Sequence, residues 1–283
     1  MEFQYLIYRK QEMEQREKIL KKDRYHQITE IPAGSEPLRE CMERYGVSAE
    51  SALVIAAADQ TIGEANALQA AVLAYKSPLF PEEELYGAEY LTESLDNLDY
   101  YFLERVYQRK HGIPWRVIET PRCCLREITL SDLPELYALY SQKGMTDYME
   151  PLYGREEETA YTKAYIENMY RFYGYGMWLV RDQKTDELIG RAGFDHFEAE
   201  GKLLLEMGYA ISVFRQRQGY GYEVCRAMIE YAREAELGFD RIYCFVREGN
   251  AASFALLAKL GFSFLDMQIR AGKKLFRYVF DLI

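Results

Sequence analysis

Short apolar runs bounded by charged or turn-forming residues recur along this chain, and between them apolar positions step at helical spacing. Ser51 to Ala58 predicts a buried strand, Gln60 to Gln69 a helix and Ala71 to Tyr75 a second strand. Strand, short helix, strand is the grammar of a βαβ unit with parallel pairing. Ahead of it, Glu2 to Arg24 carries many charges, with Leu6, Ile7, Met13, Ile19 and Leu20 as sparse apolar points, and predicts a mostly exposed helix; Pro37 to Arg44 predicts another helical stretch. Pro78, Pro81 and Glu82-Glu83-Glu84 mark a solvated loop, and Tyr90-Leu91 a short strand. Leu98, Tyr101, Phe102 and Val106 make Leu95 to Lys110 an amphipathic helix. His111 to Pro121 reads as a connector, which divides the chain into a smaller α/β domain over 1–116, built on the parallel βαβ unit and expected to be non-catalytic, and a second domain over 117–283.

In that second domain the apolar run Leu203 to Ile211 predicts a mostly buried strand, and Val224, Met228, Ile229, Tyr231 and Ala232 predict a helix. Between them lies a basic turn, Arg215-Gln216-Arg217-Gln218-Gly219-Tyr220-Gly221-Tyr222. The first N–H groups of a helix lack partners inside it and the helix dipole adds partial positive charge there. Gly219 and Gly221 allow close backbone approach, and Arg215 and Arg217 add full charge, so a phosphate or pyrophosphate belongs at this turn. Ile242 to Val246 predicts the next strand, and Asn250 opens a helix that stops at Leu260-Gly261-Phe262.

The turn resembles the acyl-CoA loop of the GNAT acetyltransferase superfamily, Gln/Arg-x-x-Gly-x-Gly/Ala, met by Gln216 to Gly221; a second signature of that family is met by Asn250, Ser253, Gly261 and Phe262. The resemblance extends over 123–283, with Cys124 to Ile128 as the first strand, Leu130 to Leu136 as the start of the first helix capped by Ser131 or Asp132, and Thr159 to Tyr173 as the second helix. Met177 to Val180 and Leu188 to Phe194 follow as a hairpin. It implies a GNAT fold, a mixed and mostly antiparallel central sheet flanked by helices. The wording Glu206-Met207-Gly208-Tyr209 is most similar to the ribosomal-protein-alanine N-acetyltransferase branch. Residues 51–75, with Asp59 and Glu64-Ala65-Asn66-Ala67, resemble a degenerate haloacid-dehalogenase-like fragment; residues 1 to 50 hold no Asp-x-Asp nucleophile motif, so Asp59 reads first as a helix cap and second as a catalytic relic.

The family resemblance implies acetyl-CoA as cosubstrate, an amine acceptor and direct attack in a ternary complex without an acyl-enzyme. By position, Ile211 and Val213 inherit the pantetheine arm and Gln216, Arg217, Gln218, Gly219, Tyr220, Gly221 and Tyr222 the pyrophosphate, with Ser212 and Asn250, which opens the second helix, also expected at the cofactor. The chain departs from many relatives at Leu257, where a Tyr serves as the acid. Ser253, one turn earlier, is the first substitute, read against the plainer role of a cap. Glu206 is the candidate base, since burial would raise its pKa; the rival reading pairs it with an arginine such as Arg191. His196 is a third candidate.

Charge and composition narrow the partners. A formal net charge of −10 argues against general nucleic-acid binding and suits a cationic amine, and Asp147, Glu150, Asp195, Glu198 and Glu200 fall on the loops expected around the acceptor, beside Tyr148, Tyr153, Tyr173, Tyr175 and Tyr209. The acceptors in view are a peptide amino terminus or a small-molecule amine. No apolar run approaches the roughly 18 residues of a membrane span and the first residues are charged, so the expectation is a cytoplasmic protein without a membrane partner. Cys41, Cys123, Cys124, Cys225 and Cys244 show no metal-ligand spacing; no metal is expected, and Cys225 and Cys244 read as core. The alternative to an enzyme is an acyl-CoA-binding sensor, and the N-terminal domain is expected to serve a homodimer or a protein partner.

Overall fold

A computed structural model describes residues 3–14, 19–20, 28–96, 98–199, 201–235 and 237–282. The chain divides into two compact units, Met1–Trp115 and Arg116–Ile283.

The first unit is a parallel sheet of β1 (Tyr5–Arg9), β2 (Thr29–Ala33), β3 (Ala52–Ala56), β4 (Ala71–Tyr75) and β5 (Tyr90–Thr92), in the order β2-β1-β3-β4-β5. Leu6, Tyr8, Leu53, Ile55 and Leu73 face one core with Leu103, Val106 and Tyr107 of helix α3 (Tyr100–Lys110). Ile7, Val54, Ala56, Val72 and Ala74 face another with α1 (Leu38–Tyr45) and α2 (Asp59–Ala67). A strand covered on both faces is apolar at every position, which is why these runs show no alternation.

Two expectations are corrected here. The exposed helix expected over Glu2 to Arg24 is instead, at its start, a central strand: Leu6, Ile7 and Tyr8 are fully buried in β1. The charges that suggested a solvated helix flank a five-residue run too short to dominate the average. Residues 2, 15–18 and 21–24 of that stretch lie outside the described residues. Asp59 does not cap α2, whose N-cap is Ala58. Its carboxylate accepts from the N–H groups of Glu84 and Leu85 (3.3 and 2.7 Å), and so pins the acidic loop instead.

The second unit carries an eight-stranded sheet in the order β12-β13-β11-β10-β9-β8-β7-β6. The strands are β6 (Arg116–Glu119), β7 (Cys123–Arg126), β8 (Met177–Asp182), β9 (Leu188–Ala199), β10 (Lys202–Ile211), β11 (Arg241–Arg247), β12 (Ser263–Arg270) and β13 (Lys273–Asp281). All neighbours are antiparallel except β10 and β11, which run parallel. Helices α4 (Leu133–Tyr140), α5 (Arg155–Tyr165), α6 (Tyr220–Glu234) and α7 (Ala251–Leu260) complete the unit. The expected connector over 111–121 contains β6, an edge strand whose four residues are too few to stand out by periodicity.

Past Tyr165 the helix α5 continues as a π-helical turn, Ile166–Tyr173, ending at Gly174 with φ 74°. Its wider winding brings Tyr165 and Tyr170 edge to face, ring centroids 5.6 Å apart. Both phenols hold one residue of the sheet: Met177 donates its N–H to Tyr165 Oη (2.6 Å), and Tyr170 Oη donates to the Met177 carbonyl (2.6 Å). The backbone of Met177 packs against Gly193, where an added Cβ would lie 2.1 Å from the Gly176 carbonyl oxygen and 2.6 Å from Met177 Cα. Neither backbone atom can yield without opening the β8–β9 pairing. Gly193→Ala should therefore lower the unfolding free energy by about 1–3 kcal/mol; an unchanged urea midpoint would show that the strands separate freely there.

Candidate functional site

The parallel pair β10 and β11 is where the sheet comes apart. β10 pairs with β9 through ten successive residues, Lys202 to Ile211, yet meets β11 in only two registered pairs, Leu205 with Ile242 and Glu206 with Tyr243. Beyond Glu206 the strands diverge, and the Cys244 thiol donates to the Met207 carbonyl (3.1 Å) where a ladder bond would have stood. Two cavities open at the gap, one of about 490 Å³ and one of about 330 Å³. Tyr148, Met149, Tyr209, Ala210, Asn250 and Ser253 line both, so the two meet within the split.

The larger cavity faces the basic turn. Arg217 (φ 61°) and Gly219 (φ 87°) bend the backbone so that Gly219 becomes the N-cap of α6. A left-handed φ at Arg217 is unfavourable for a side chain of that size, and the loop holds it by bracing on every side. Gln216 Nε2 donates to the Ile211 carbonyl (3.0 Å), Gln218 Nε2 to the Phe214 carbonyl (2.9 Å), and Arg122 Nη1 to the Gln218 carbonyl (3.1 Å). Arg122 is itself fixed by Glu223 (2.6 Å) and lies over the Tyr220 ring. Of the residues expected at the cofactor, Ile211, Val213, Gln216, Arg217, Gly219, Gly221, Tyr222 and Asn250 line this cavity. Ser212, Gln218 and Tyr220 do not: Ser212 is buried and donates its hydroxyl to Gln142 Oε1 (2.9 Å), Gln218 turns back on the loop, and Tyr220 is buried beneath Arg122. The Val213 N–H also donates to Gln142 Oε1 (2.9 Å), so the backbone groups of Ile211 and Val213 are engaged within the chain. Gln142 and Arg122 went unremarked in the sequence, since neither lies near the motif.

Alternation along β10 sets Glu206 and Tyr209 on opposite faces of the strand. Glu206 lines the smaller cavity, whereas Tyr209 reaches toward Ser253. Burial raises the Glu206 carboxyl from 4.5 to about 7, with Arg270 opposing and Asp195, its cross-strand neighbour, reinforcing the shift. The ion-pair partner is Arg270 (3.8 Å), not Arg191: the β12–β13 hairpin brings Arg270 over the Phe245 ring, 3.7 Å from its centroid, a contact between strands that sequence separation conceals. Asn250 caps α7, accepting from the Ser253 N–H (3.1 Å), while Ser253 lines both cavities. Leu257 is fully buried and lines neither cavity. The Tyr209 hydroxyl is buried without a hydrogen bond of good geometry, and burial raises its pKa, with Ser253 acting in the opposite sense.

Other candidates separate from the site. His196 packs against Tyr173, ring centroids 4.5 Å apart, outside both cavities. Glu150 is held by Arg247 and Lys273. Asp147 lines the larger cavity and Asp195 the smaller; Glu198 lies on β9 opposite Leu203, and Glu200 falls outside the described residues. Cys225 and Cys244 are buried, and burial raises both thiols well above their ordinary range, which disfavours thiolate at neutral pH. Among the described residues no group of three or more His, Cys, Asp or Glu is placed to hold a metal, and no helix is long and apolar enough to cross a membrane.

The family model for the acetyltransferase (GNAT) domain matches residues 122–263. The chain belongs to the GNAT acetyltransferase family. Members of this family are acyltransferases that use acetyl-CoA, and this one is similar to the uncharacterized N-acetyltransferase YoaA of Bacillus subtilis (strain 168), 32% identical over 148 residues that make up 52% of this chain and 82% of YoaA. It is also similar to the uncharacterized protein YkkB of the same organism, 29% identical over 89 residues, 31% of this chain and 51% of YkkB. Among solved structures it shares its fold with RimL, the ribosomal L7/L12 alpha-N-protein acetyltransferase, in complex with coenzyme A: TM-score 0.50 and 20% identity over 58% of this chain and 97% of that one.

The raised Glu206 carboxyl makes the GNAT unit's stability depend on pH. Folded, the group favours its neutral form, so its contribution is full below 4.5 and is lost as pH rises toward 7. Glu206→Gln, permanently neutral, should be more stable than the parent at pH 8 and match it near pH 4; equal urea midpoints at both pH values would mean that the carboxyl is not desolvated.

Proposed function

We propose that the GNAT unit moves the acetyl group of acetyl-CoA to a primary amine by direct attack in a ternary complex. The observation that carries this reading is the pair of cavities meeting in the split of β10 and β11, one lined by the glycine turn and the other by Glu206. The diphosphate would sit at the mouth of α6, where the Gly219–Gly221 backbone, the helix dipole and Arg217 favour anions. The pantetheine arm would follow β10 toward Ser253. Its backbone pairing with Ile211 and Val213 would replace the hydrogen bonds those groups make to Gln216 and Gln142.

An ammonium must lose a proton before it attacks a thioester. A carboxyl titrating near 7 has the proton affinity for that task, which supports Glu206 as the base, directly or through a water. The departing thiolate needs a proton or a hydrogen-bond donor. Ser253 supplies a hydroxyl in the place where both cavities meet, and the buried Tyr209 phenol stands beside it. The acceptor expected is a peptide amino terminus or a small-molecule amine. The first unit is proposed to be a non-catalytic docking part, for a second copy or another protein, and the enzyme to work in the cytoplasm.

Two measurements test this reading. Released CoA thiol, followed against a panel of amines, should fall by about 10²–10⁴-fold in kcat for Glu206→Gln while calorimetry finds acetyl-CoA affinity within a fewfold of the parent; equal rates remove Glu206 from the mechanism. Replacing Gly219 and Gly221 together with Val should abolish acetyl-CoA binding with circular dichroism unchanged. Retained affinity would place the diphosphate elsewhere.

A further inference from the structure

A cation outside every ion pair of the described residues stands in the wall of the smaller cavity. Arg191 lies in mid-sheet on β9, opposite Ala210 of β10 and Leu179 of β8. Its Nε is buried with no hydrogen-bond partner, and among the described residues it forms no ion pair. Its guanidinium donates a hydrogen bond to the Tyr140 phenol, lies 5.9 Å from the Tyr165 ring centroid and has the Tyr165 and Tyr170 phenols as its other polar neighbours. Burial raises the Tyr165 and Tyr170 hydroxyls, so both are neutral at physiological pH. Every other guanidinium lining this cavity has a carboxylate: Arg247 pairs with Glu150. A largely desolvated cation that no carboxylate contacts directly is an unfavourable arrangement, and an anion brought against it relieves it.

The same cavity carries carboxylates on another part of its wall, Asp195 and Glu206, directly paired across β9 and β10. Aromatic rings of Tyr140, Tyr148, Tyr161, Tyr165 and Phe245 make up much of the remaining wall. Negative groups suited to an ammonium and one positive group suited to an anion, within about 330 Å³, describe a small ligand bearing both charges.

We infer that the acceptor carries a carboxylate beside its amine, with Arg191 holding the carboxylate by a charge-assisted hydrogen bond while the amine faces Glu206. The substrate class is thus a free amino acid or a close relative of that size, not a bare polyamine. This rests on the N-acetyltransferase reading given above and narrows it.

The test compares acceptors that differ only at the anionic group: L-phenylalanine, L-phenylalaninamide and phenethylamine, and the corresponding leucine series, each with acetyl-CoA and the chain carrying both units. The amide has the less basic amine and is the better nucleophile at neutral pH, so chemistry alone ranks it above the acid. The expected result is the reverse, with kcat/KM for the acid at least tenfold above that for the amide in one series or both. Arg191→Met should bring the acid-to-amide ratio to near one, and Arg191→Lys should restore part of it, with acetyl-CoA titration as the check that each variant is folded. Should Arg191→Met fail to fold, the parent ratio and the Lys variant decide. Amides or bare amines turned over as well as the acids, by the parent enzyme, overturn this inference alone. Acetyl-CoA binding with no thiol released to any amine overturns the N-acetyltransferase reading and this inference with it.

Discussion

The divergence of β10 from β11 is the constraint on which the second unit depends. Each strand is paired along its outer side, β10 by β9 through ten residues and β11 by β13 through seven, so the sheet holds on either side of the gap. Where they part, the inner edges must find other partners, because buried N–H and C=O groups are rarely left alone. Side chains serve instead: Gln142 takes the Val213 N–H, Gln216 the Ile211 carbonyl and Cys244 the Met207 carbonyl. A gap held open by side chains is one that a ligand's amides can enter by exchange, which no continuous sheet permits.

From that gap the two-residue period of a strand does the rest. Consecutive positions of β10 point to opposite faces, so a carboxylate at Glu206 and a phenol at Tyr209 reach the split from opposite faces of the strand: Glu206 lines the smaller cavity alone, and Tyr209 lines both. The π-helical turn and its tyrosines fix Met177, which with Gly208 forms part of the wall beside Glu206; an added Cβ at Gly208 would lie 3.3 Å from the Met177 sulfur. The position of the carboxylate is thus set by packing several elements deep, not by a local motif.

The elements that a local pattern specifies were legible in the sequence: β3, α2 and β4 from their apolar runs, the β10-turn-α6 passage from its glycines and arginines, and α7 from Asn250 and Gly261. What local pattern does not specify was not. Short strands among charges, β1 and β6, vanish when apolar content is averaged over a longer window. Partner choice across the sheet was equally hidden: Arg191 is near Glu206 in the sequence and Arg270 is distant, yet hairpin geometry makes Arg270 the partner. The same is true of Gln142, whose contact with Ser212 and Val213 spans about seventy positions. The motif residues also proved unequal, since Ser212, Gln218 and Tyr220 support the turn from behind while their neighbours line the cavity.

All five cysteines are buried and free, and burial lifts Cys123 to about 11 and the others in the same direction. A sulfhydryl reagent added to the native enzyme therefore finds no competing nucleophile on its surface. Colour developed during turnover counts product molecules directly, and a slow rise from the protein alone, with acetyl-CoA left out, becomes a gauge of unfolding.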